Sequence, residues 1–352
     1  MANSFACQMV AHSRPRKRLL LGYDGRGNRA DCRAPGQTCL MITASEEKAV
    51  DYEITASIAT EAFGSKEVVF SAQRIKWLYE SGFGQGGAVI AAYDDSKKVG
   101  QIALLHQKVY LEGKPAAAIQ LVDLFVLQGY RSPQLVRSIY REVERLCQAR
   151  NIRLVLTLPN EKSAPLNARL LKLKPFLSLQ ARIGIGGWSP RGSKLRYSGL
   201  LKSMPKSEAL GLLSNFSTPA AENGLRWDAE TLFNRMNDPT RDYAVHATAD
   251  LLLISSSRKT RGIKHALLCG FFSRSDAPVT PGAMRGLIRA ACRFWKHRLF
   301  VYVGINHRLP QLPGIPLPVR LRPPILVQLR DFAAENPDLR FDRFQLIDSD
   351  FV

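Results

Sequence analysis

The sequence predicts a mixed-sheet α/β fold arranged as two related units. Three observations predict it. Through residues 117–176, apolar strands and amphipathic helices follow in the order strand, helix, strand, helix, which implies parallel pairing across part of a sheet. Residues 184–219 are rich in Gly, Ser, Pro and Lys and read as a linker. Beyond it a second succession of helix, strands, helix and strand begins. The expected units are residues 41–183 and 220–352, preceded by a flexible basic extension over 1–40, where SRPRKR and its neighbours contain little that could pack.

In the first unit, SEEKAVDYEITASIATEAF predicts a helix capped by Ser45, with Glu46 and Glu47 at its positive end. QRIKWLYESGF predicts a second helix, ended by Gly82. GAVIAAYD and KVGQIALLHQKVYL predict two strands joined by a turn at Asp94, Asp95 and Ser96, and a turn at 112–115 leads into the strand AAIQLVDLFVL. Residues 133–150 predict a helix whose apolar face holds Leu135, Ile139, Val143 and Leu146. IRLVLTLP is continuous and branched, as a covered central strand requires. A short helix follows. In the second unit, helices are expected at WDAETLFNRMND and PGAMRGLIRAACRFWKHR, and strands at ADLLLISSS, HALLCGFF and LFVYVGI. FDRFQLIDSDFV closes the chain, and alternation there is expected to point Asp348 and Asp350 to one strand face.

Composition narrows the function. The 352 residues suffice for two domains, and the formal charge is +20, with 25 basic and 14 acidic side chains in residues 181–352. Such a balance suits nucleic acid, an anionic membrane surface or a phosphate-rich cofactor, or is a solvated basic face. Six cysteines without a CxxC pair suit a reducing compartment, and no HExxH or zinc-like spacing occurs, so no metal is expected. The absence of a run of about 20 apolar residues and of a signal-peptide pattern makes the cytoplasm the expected location, with no transmembrane segment.

The run from Val122 to Phe176 resembles the GNAT acetyltransferase superfamily. The strand through Asp123–Leu127, the loop to Gln134, the helix to Arg150, the strand Leu154–Leu158 and Asn160 occupy the places of that family's pattern. The resemblance implies acyl-CoA as donor substrate and a small-molecule or peptide amine as acceptor. It places the donor along Leu124 and Val126, at Arg131, Ser132, Gln134 and Leu135, and near Asn160 and Ser163. A helix N-terminus offers free N–H groups and a positive dipole end to a pyrophosphate. The pattern expects glycine near Ser132 and Gln134 and a small residue near Val136, and all three departures add bulk. Pro133 is compatible with a helix start, and Arg131 matches a basic position. The loop therefore supports the fold more than it supports coenzyme A.

Asp123 interrupts an apolar strand just before this loop and is the candidate catalytic base, collecting the proton of an attacking amine; a structural hydrogen-bond role is the other reading. Tyr130, Asn306, Asp348 and Asp350 are candidate substrate-binding residues, the last two either orienting an amine or holding the junction between units. His106, between apolar neighbours, reads as structural. The second half is architecturally similar to tandem members of the superfamily, including peptidoglycan-bridge enzymes that use charged tRNA. With the altered loop and the net charge, this makes aminoacyl-tRNA the alternative donor, its phosphates meeting Arg258, Lys259, Arg261 and Lys264 or Arg289, Arg293, Lys296, His297 and Arg298, clusters that also read as ordinary solubilising surface. A non-catalytic binding protein on the same scaffold is the third reading.

Overall fold

The computed structural model describes residues 42–64, 70–187, 195–219, 221–274, 279–333 and 338–350. The extension expected over 1–40 lies outside them. The first half runs β1 (Ile42–Glu46), α1 (Tyr52–Phe63), α2 (Ala72–Glu80), β2 (Gly87–Asp94), β3 (Lys97–Leu111), β4 (Lys114–Val126), α3 (Pro133–Ala149), β5 (Leu154–Thr157), α4 (Ser163–Leu171) and β6 (Lys174–Leu179). The chain continues through β7 (Ala181–Ile185), β8 (Tyr197–Leu200), α5 (Lys206–Leu213), β9 (Gly224–Leu225) and α6 (Ala229–Met236). It ends with β10 (Ala244–Ala247), β11 (Leu251–Thr260), β12 (Ile263–Ser273), α7 (Pro281–Phe294), β13 (Leu299–Asn306), β14 (Ile315–Pro316), β15 (Ile325–Asp331) and β16 (Arg343–Gln345).

The halves repeat one order. β2, β3 and β4 pair antiparallel, α3 crosses over, and β5 joins β4 in parallel. Likewise β10, β11 and β12 pair antiparallel, α7 crosses over, and β13 joins β12 in parallel. The halves also exchange strands. β15, from late in the chain, lies between β5 and β6, whereas β7 pairs with β13 and β14. β9 and β16 bridge β3 to β13, so hydrogen bonding runs unbroken from one half to the other.

Local chemistry explains the helices that position the site. Ser132 caps α3, accepting from the Leu135 N–H at 3.2 Å, and Pro133 opens its first turn without a wasted donor. Ile139, Val143 and Cys147 then bury one stripe against Ile90, Ile119 and Val155. Each such aliphatic contributes roughly 1.5–3 kcal/mol. On the opposite sheet face α2 buries Ile75, Leu78 and Tyr79 in a core continuous with Trp227, Tyr243 and Phe344 of the second half. α7 covers β11, β12 and β13 with Leu287, Ile288 and Ala291.

Two expectations are corrected. Residues 42–46 form an edge strand on β2, not the start of a helix. Glu47 is drawn inward by the Lys98 ammonium at 2.7 Å and the Tyr93 hydroxyl at 2.8 Å. The helix starts one turn later, capped by Asp51 through the Ile54 N–H at 2.9 Å. At the C-terminal end β16 stops at Gln345 and Leu346–Asp348 turn as a short 3-10 helix, so Asp348 and Asp350 do not share a strand face. Asp348 closes that turn by accepting from the Gln345 N–H at 2.6 Å. Residues 184–219 contain the end of β7, β8 and α5. Among the described residues no helix is long and apolar enough to cross a membrane, and no three His, Cys, Asp or Glu side chains group as metal ligands.

The Lys98–Glu47 pair is almost wholly buried, at 3% and 8% side-chain exposure. Burial lowers the Lys98 proton affinity, and Glu47 opposes that shift. Glu47→Gln leaves the ammonium without its counter-charge. The expected loss is about 3–5 kcal/mol by urea denaturation at neutral pH, with Lys98→Met restoring part of it in the double variant.

Candidate active site

The site is built on an irregularity in β4. Ala103 pairs with Val122 and Gln101 with Phe125, so β4 carries one more residue than β3 between these pairs. The extra length is absorbed at Asp123, whose φ of +49° lies in the left-handed region. Aspartate tolerates that conformation better than a branched side chain. On the other side, the parallel pairing with β5 ends at Leu121–Thr157. β5 itself ends there, leaving the backbone around Leu124 outside the β4–β5 ladder.

The bulge aims the Asp123 carboxylate at α2. Its Oδ2 accepts from the Tyr79 hydroxyl at 2.8 Å, and that hydroxyl accepts from Gln101 Nε2 at 3.0 Å. Asp350 enters from the far end of the chain. Its Oδ1 accepts from Gln120 Nε2 at 2.8 Å, and Gln120 Oε1 accepts from Gln107 Nε2 at 3.0 Å. Each hydrogen-bonded chain ends on a buried amide oxygen, Gln101 Oε1 or Gln107 Oε1, without a hydrogen-bond donor. Burial and the neighbouring Asp350 charge raise the Asp123 pKa to about 6, against the opposing effects of the Tyr79 hydroxyl and Arg74. Burial also raises Asp350, opposed first by Arg74. Tyr79, buried and facing a carboxylate, is held far above the usual phenol range and stays a neutral donor.

Asp350 reaches this place because the segment before it is clamped. The fully buried Arg235 of α6 donates through Nε to the Ile347 carbonyl at 3.1 Å and through Nη2 to the Ser349 carbonyl. Its guanidinium lies 5.3 Å from the Trp77 ring centre and 4.9 Å from that of Phe83. Arg74 of α2 donates to the Asp350 carbonyl at 3.2 Å and pairs with Asp238 at 3.3 Å.

The remaining candidates divide between the donor loop and other networks. Leu124 is half-buried beside the bulge, Val126 is buried, and the Val126 carbonyl accepts from Arg131 Nε at 3.0 Å. Arg131 also donates to the Ala62 carbonyl at 2.7 Å, bridging the ends of β4 and α1. In the first turn of α3, Pro133 has no N–H. The Leu135 N–H is taken by the Ser132 hydroxyl and that of Val136 by the Ser132 carbonyl, which leaves the exposed Gln134 to offer its N–H. The Leu135 side chain is in the core. Asn160 accepts from the N–H groups of Lys162 and Ser163, and its own N–H is met by the Ser163 hydroxyl, so the two residues form the start of α4. Tyr130 lies beneath Lys97, beside the β2–β3 turn. Asn306 is buried between the Phe271 carbonyl and the Arg308 N–H, and Asp348 is buried between Trp227 Nε1 and Gln345. His106 meets Arg150 at 3.1 Å.

A cleft of about 700 Å³ opens elsewhere, beside Glu46, Glu47, Tyr52 and Glu80. Its glutamates are engaged by Arg150, Lys98 and Tyr52 respectively, and none of its lining residues belongs to the bulge. The unmet acceptors beside Asp123 and Asp350 make the bulge the better candidate.

Because the folded state raises the Asp123 pKa, its contribution to stability is greatest below the unfolded carboxylate pKa and is lost as pH rises through about 6. Asp123→Asn suits the same backbone angle and removes the charge. At pH 7.5 it is expected to stabilise the fold by about 1–3 kcal/mol, and at pH 4 by far less. Thermal melts of both proteins across this range check the sign.

Residues 44–165 match the model of the acetyltransferase (GNAT) domain. Among solved structures, a conserved protein of unknown function from Enterococcus faecalis V583 is 13% identical, with a TM-score of 0.57 over 83% of this chain and 73% of that one. A GCN5-related N-acetyltransferase from Anabaena variabilis ATCC 29413 is 13% identical, with a TM-score of 0.55 over 82% and 72%. The N-myristoyltransferase of Saccharomyces cerevisiae, solved with myristoyl-CoA, is 13% identical, with a TM-score of 0.55 over 89% and 85%. No curated protein matches. These identities speak for the fold, and that fold is the one of the GNAT acetyltransferase superfamily.

Proposed function

We propose that the chain is an N-acyltransferase that forms an amide on a small-molecule or peptide amine, with Asp123 as the proton acceptor. The observation that carries this reading is a pair of buried hydrogen-bonded chains, Asp123–Tyr79–Gln101 and Asp350–Gln120–Gln107, each running from a carboxylate to an unmet amide oxygen. Such a set of acceptors suits a ligand rich in N–H donors. The end of the β4–β5 ladder at Leu121 leaves β4 backbone beside the bulge for a donor to meet.

With an acyl thioester, the amine nitrogen attacks the carbonyl carbon and the negative charge gathers on the carbonyl oxygen. A backbone N–H in the stretch of β4 near Leu124 is suited to meet that oxygen. The C–S bond breaks, and the sulfur leaves as a thiolate that becomes the free thiol on protonation. A carboxylate with a pKa about 6 is too weak to deprotonate a free alkylammonium, whose pKa is about 10. Asp123 instead takes the proton from the nitrogen once the C–N bond has formed, when that nitrogen is far more acidic. Tyr79 fixes the receiving carboxylate, and Asp350 keeps its proton affinity high.

Acyl-CoA is the donor class this fold favours. One observation favours aminoacyl-tRNA: the first turn of α3 has little open N–H for a pyrophosphate, and Arg131 is engaged with two carbonyls. Incubation of the full chain with an amine panel and either acyl-CoA or aminoacyl-tRNA, read by mass spectrometry, distinguishes them by which acyl group appears in the amide. Asp123→Asn is expected to reduce kcat/KM about 10²–10⁴-fold, and the parent rate is expected to rise with pH through about 6. Unchanged turnover by Asp123→Asn removes the proton-acceptor role, and no amide from either donor removes the enzymatic reading.

A further inference from the structure

The charge of the chain is concentrated in one stretch. Residues 251–330 hold 14 Lys and Arg and one acidic residue, Asp276, which lies outside the described residues. Some of these cations are met within the fold; Arg308 pairs with Glu222 and Arg330 with Glu144. The hairpin of β11 and β12 carries others outward. Lys259 pairs directly with Lys264, and both are exposed. Like charges opposed across a ladder are destabilising, so this hairpin tip gains when an anion covers it. Arg261, at φ +48°, turns the hairpin, and burial first, then the Arg261 charge, lowers the proton affinity of Arg322.

The same end of the sheet exposes aliphatic side chains. Seven large apolar residues stand exposed among the described residues, and five belong here: Ile185, Ile263, Ile315, Val319 and Leu321. Register relates the first two of them through β13. Ile185 pairs with Leu299 at the start of β13, β13 lies beside β12, and Ile263 begins β12 at the hairpin tip. Val319 and Leu321 lie on the tight turn at 318–322, closed by the Leu321 and Arg322 N–H groups on the Pro318 carbonyl. Ile263 is 58% exposed and Leu321 64%. None of the seven is aromatic. A face for single-stranded nucleic acid uses aromatic rings to stack bases. Aliphatic tips set among lysines and arginines instead match the boundary between anionic headgroups and acyl chains.

We propose that this end of the second-half sheet docks on an anionic lipid bilayer, its cations meeting the headgroups while Ile263 and Leu321 enter the acyl boundary. The test is co-sedimentation of the full chain with vesicles of phosphatidylcholine, alone or mixed with phosphatidylglycerol. Binding to the mixed vesicles is expected to be at least about tenfold tighter and to weaken with salt. Ile263→Ser with Leu321→Ser is expected to weaken it at least about tenfold, with an unchanged melting temperature. Lys259→Gln with Lys264→Gln is a second variant at exposed positions, expected to weaken binding about fivefold per lysine. Equal binding to neutral vesicles, no binding to either kind, or undiminished binding by both variants overturns the proposal. Preference for a structured RNA over the mixed vesicles, insensitive to the serine substitutions, also overturns it and makes the face a nucleic-acid surface.

Discussion

The arrangement of the candidate site depends on one buried guanidinium. Arg235 holds the carbonyls of Ile347 and Ser349 from α6, and its face lies against Trp77 and Phe83 of the first half. A buried cation is costly unless it is compensated, and here two carbonyls and two aromatic faces offset part of that cost. The consequence is positional: the end of the chain is carried across to β4, and Asp350 is set beside the bulge that Asp123 forms. Without this tie, the Asp123 environment would contain one carboxylate rather than two. The raised proton affinity that suits Asp123 to its proposed role would then rest on burial alone.

The strand exchange acts in the same direction. β15 completes the first-half sheet between β5 and β6, and β7 pairs with β13. β5 therefore keeps a partner on its outer side while its ladder with β4 stops at Leu121 on the inner side. Backbone beyond the end of a ladder needs other partners. Limiting that need to the stretch beyond Leu121 confines it to the place where a bound donor could meet those groups.

Much of the frame was legible because its signals are local. Ser132, Pro133 and the apolar stripe from Leu135 to Cys147 specify α3 without reference to anything distant, and β2, β3 and β4 are long runs bounded by turn residues. Asp123 was legible as a charge interrupting an apolar strand. β1 was misread because five residues on a sheet edge carry only a weak alternation, and the cap at Ser45 competed with a better one at Asp51. β15 could not be read as a first-half strand, since its partners lie more than a hundred residues away. Asp348 and Asp350 looked alike in sequence. Tertiary structure separates them, giving one to Trp227 and Gln345 and the other to Gln120. Tyr79, Gln101, Gln107 and Gln120 escaped notice, although three glutamines within otherwise apolar strands were the available signal.

The coupling of Asp123 to Asp350 is the claim on which the chemical account stands. Its most direct measurement is a carboxyl titration by NMR of the full chain carrying ¹³C-labelled aspartate, for the parent, Asp123→Asn and Asp350→Asn. The account predicts a carboxyl midpoint near 6 in the parent. That midpoint is absent from Asp123→Asn and falls toward the ordinary carboxylate range in Asp350→Asn, where the neighbouring negative charge is gone. An Asp123 midpoint unmoved by Asp350→Asn, in a protein that remains folded, would contradict it.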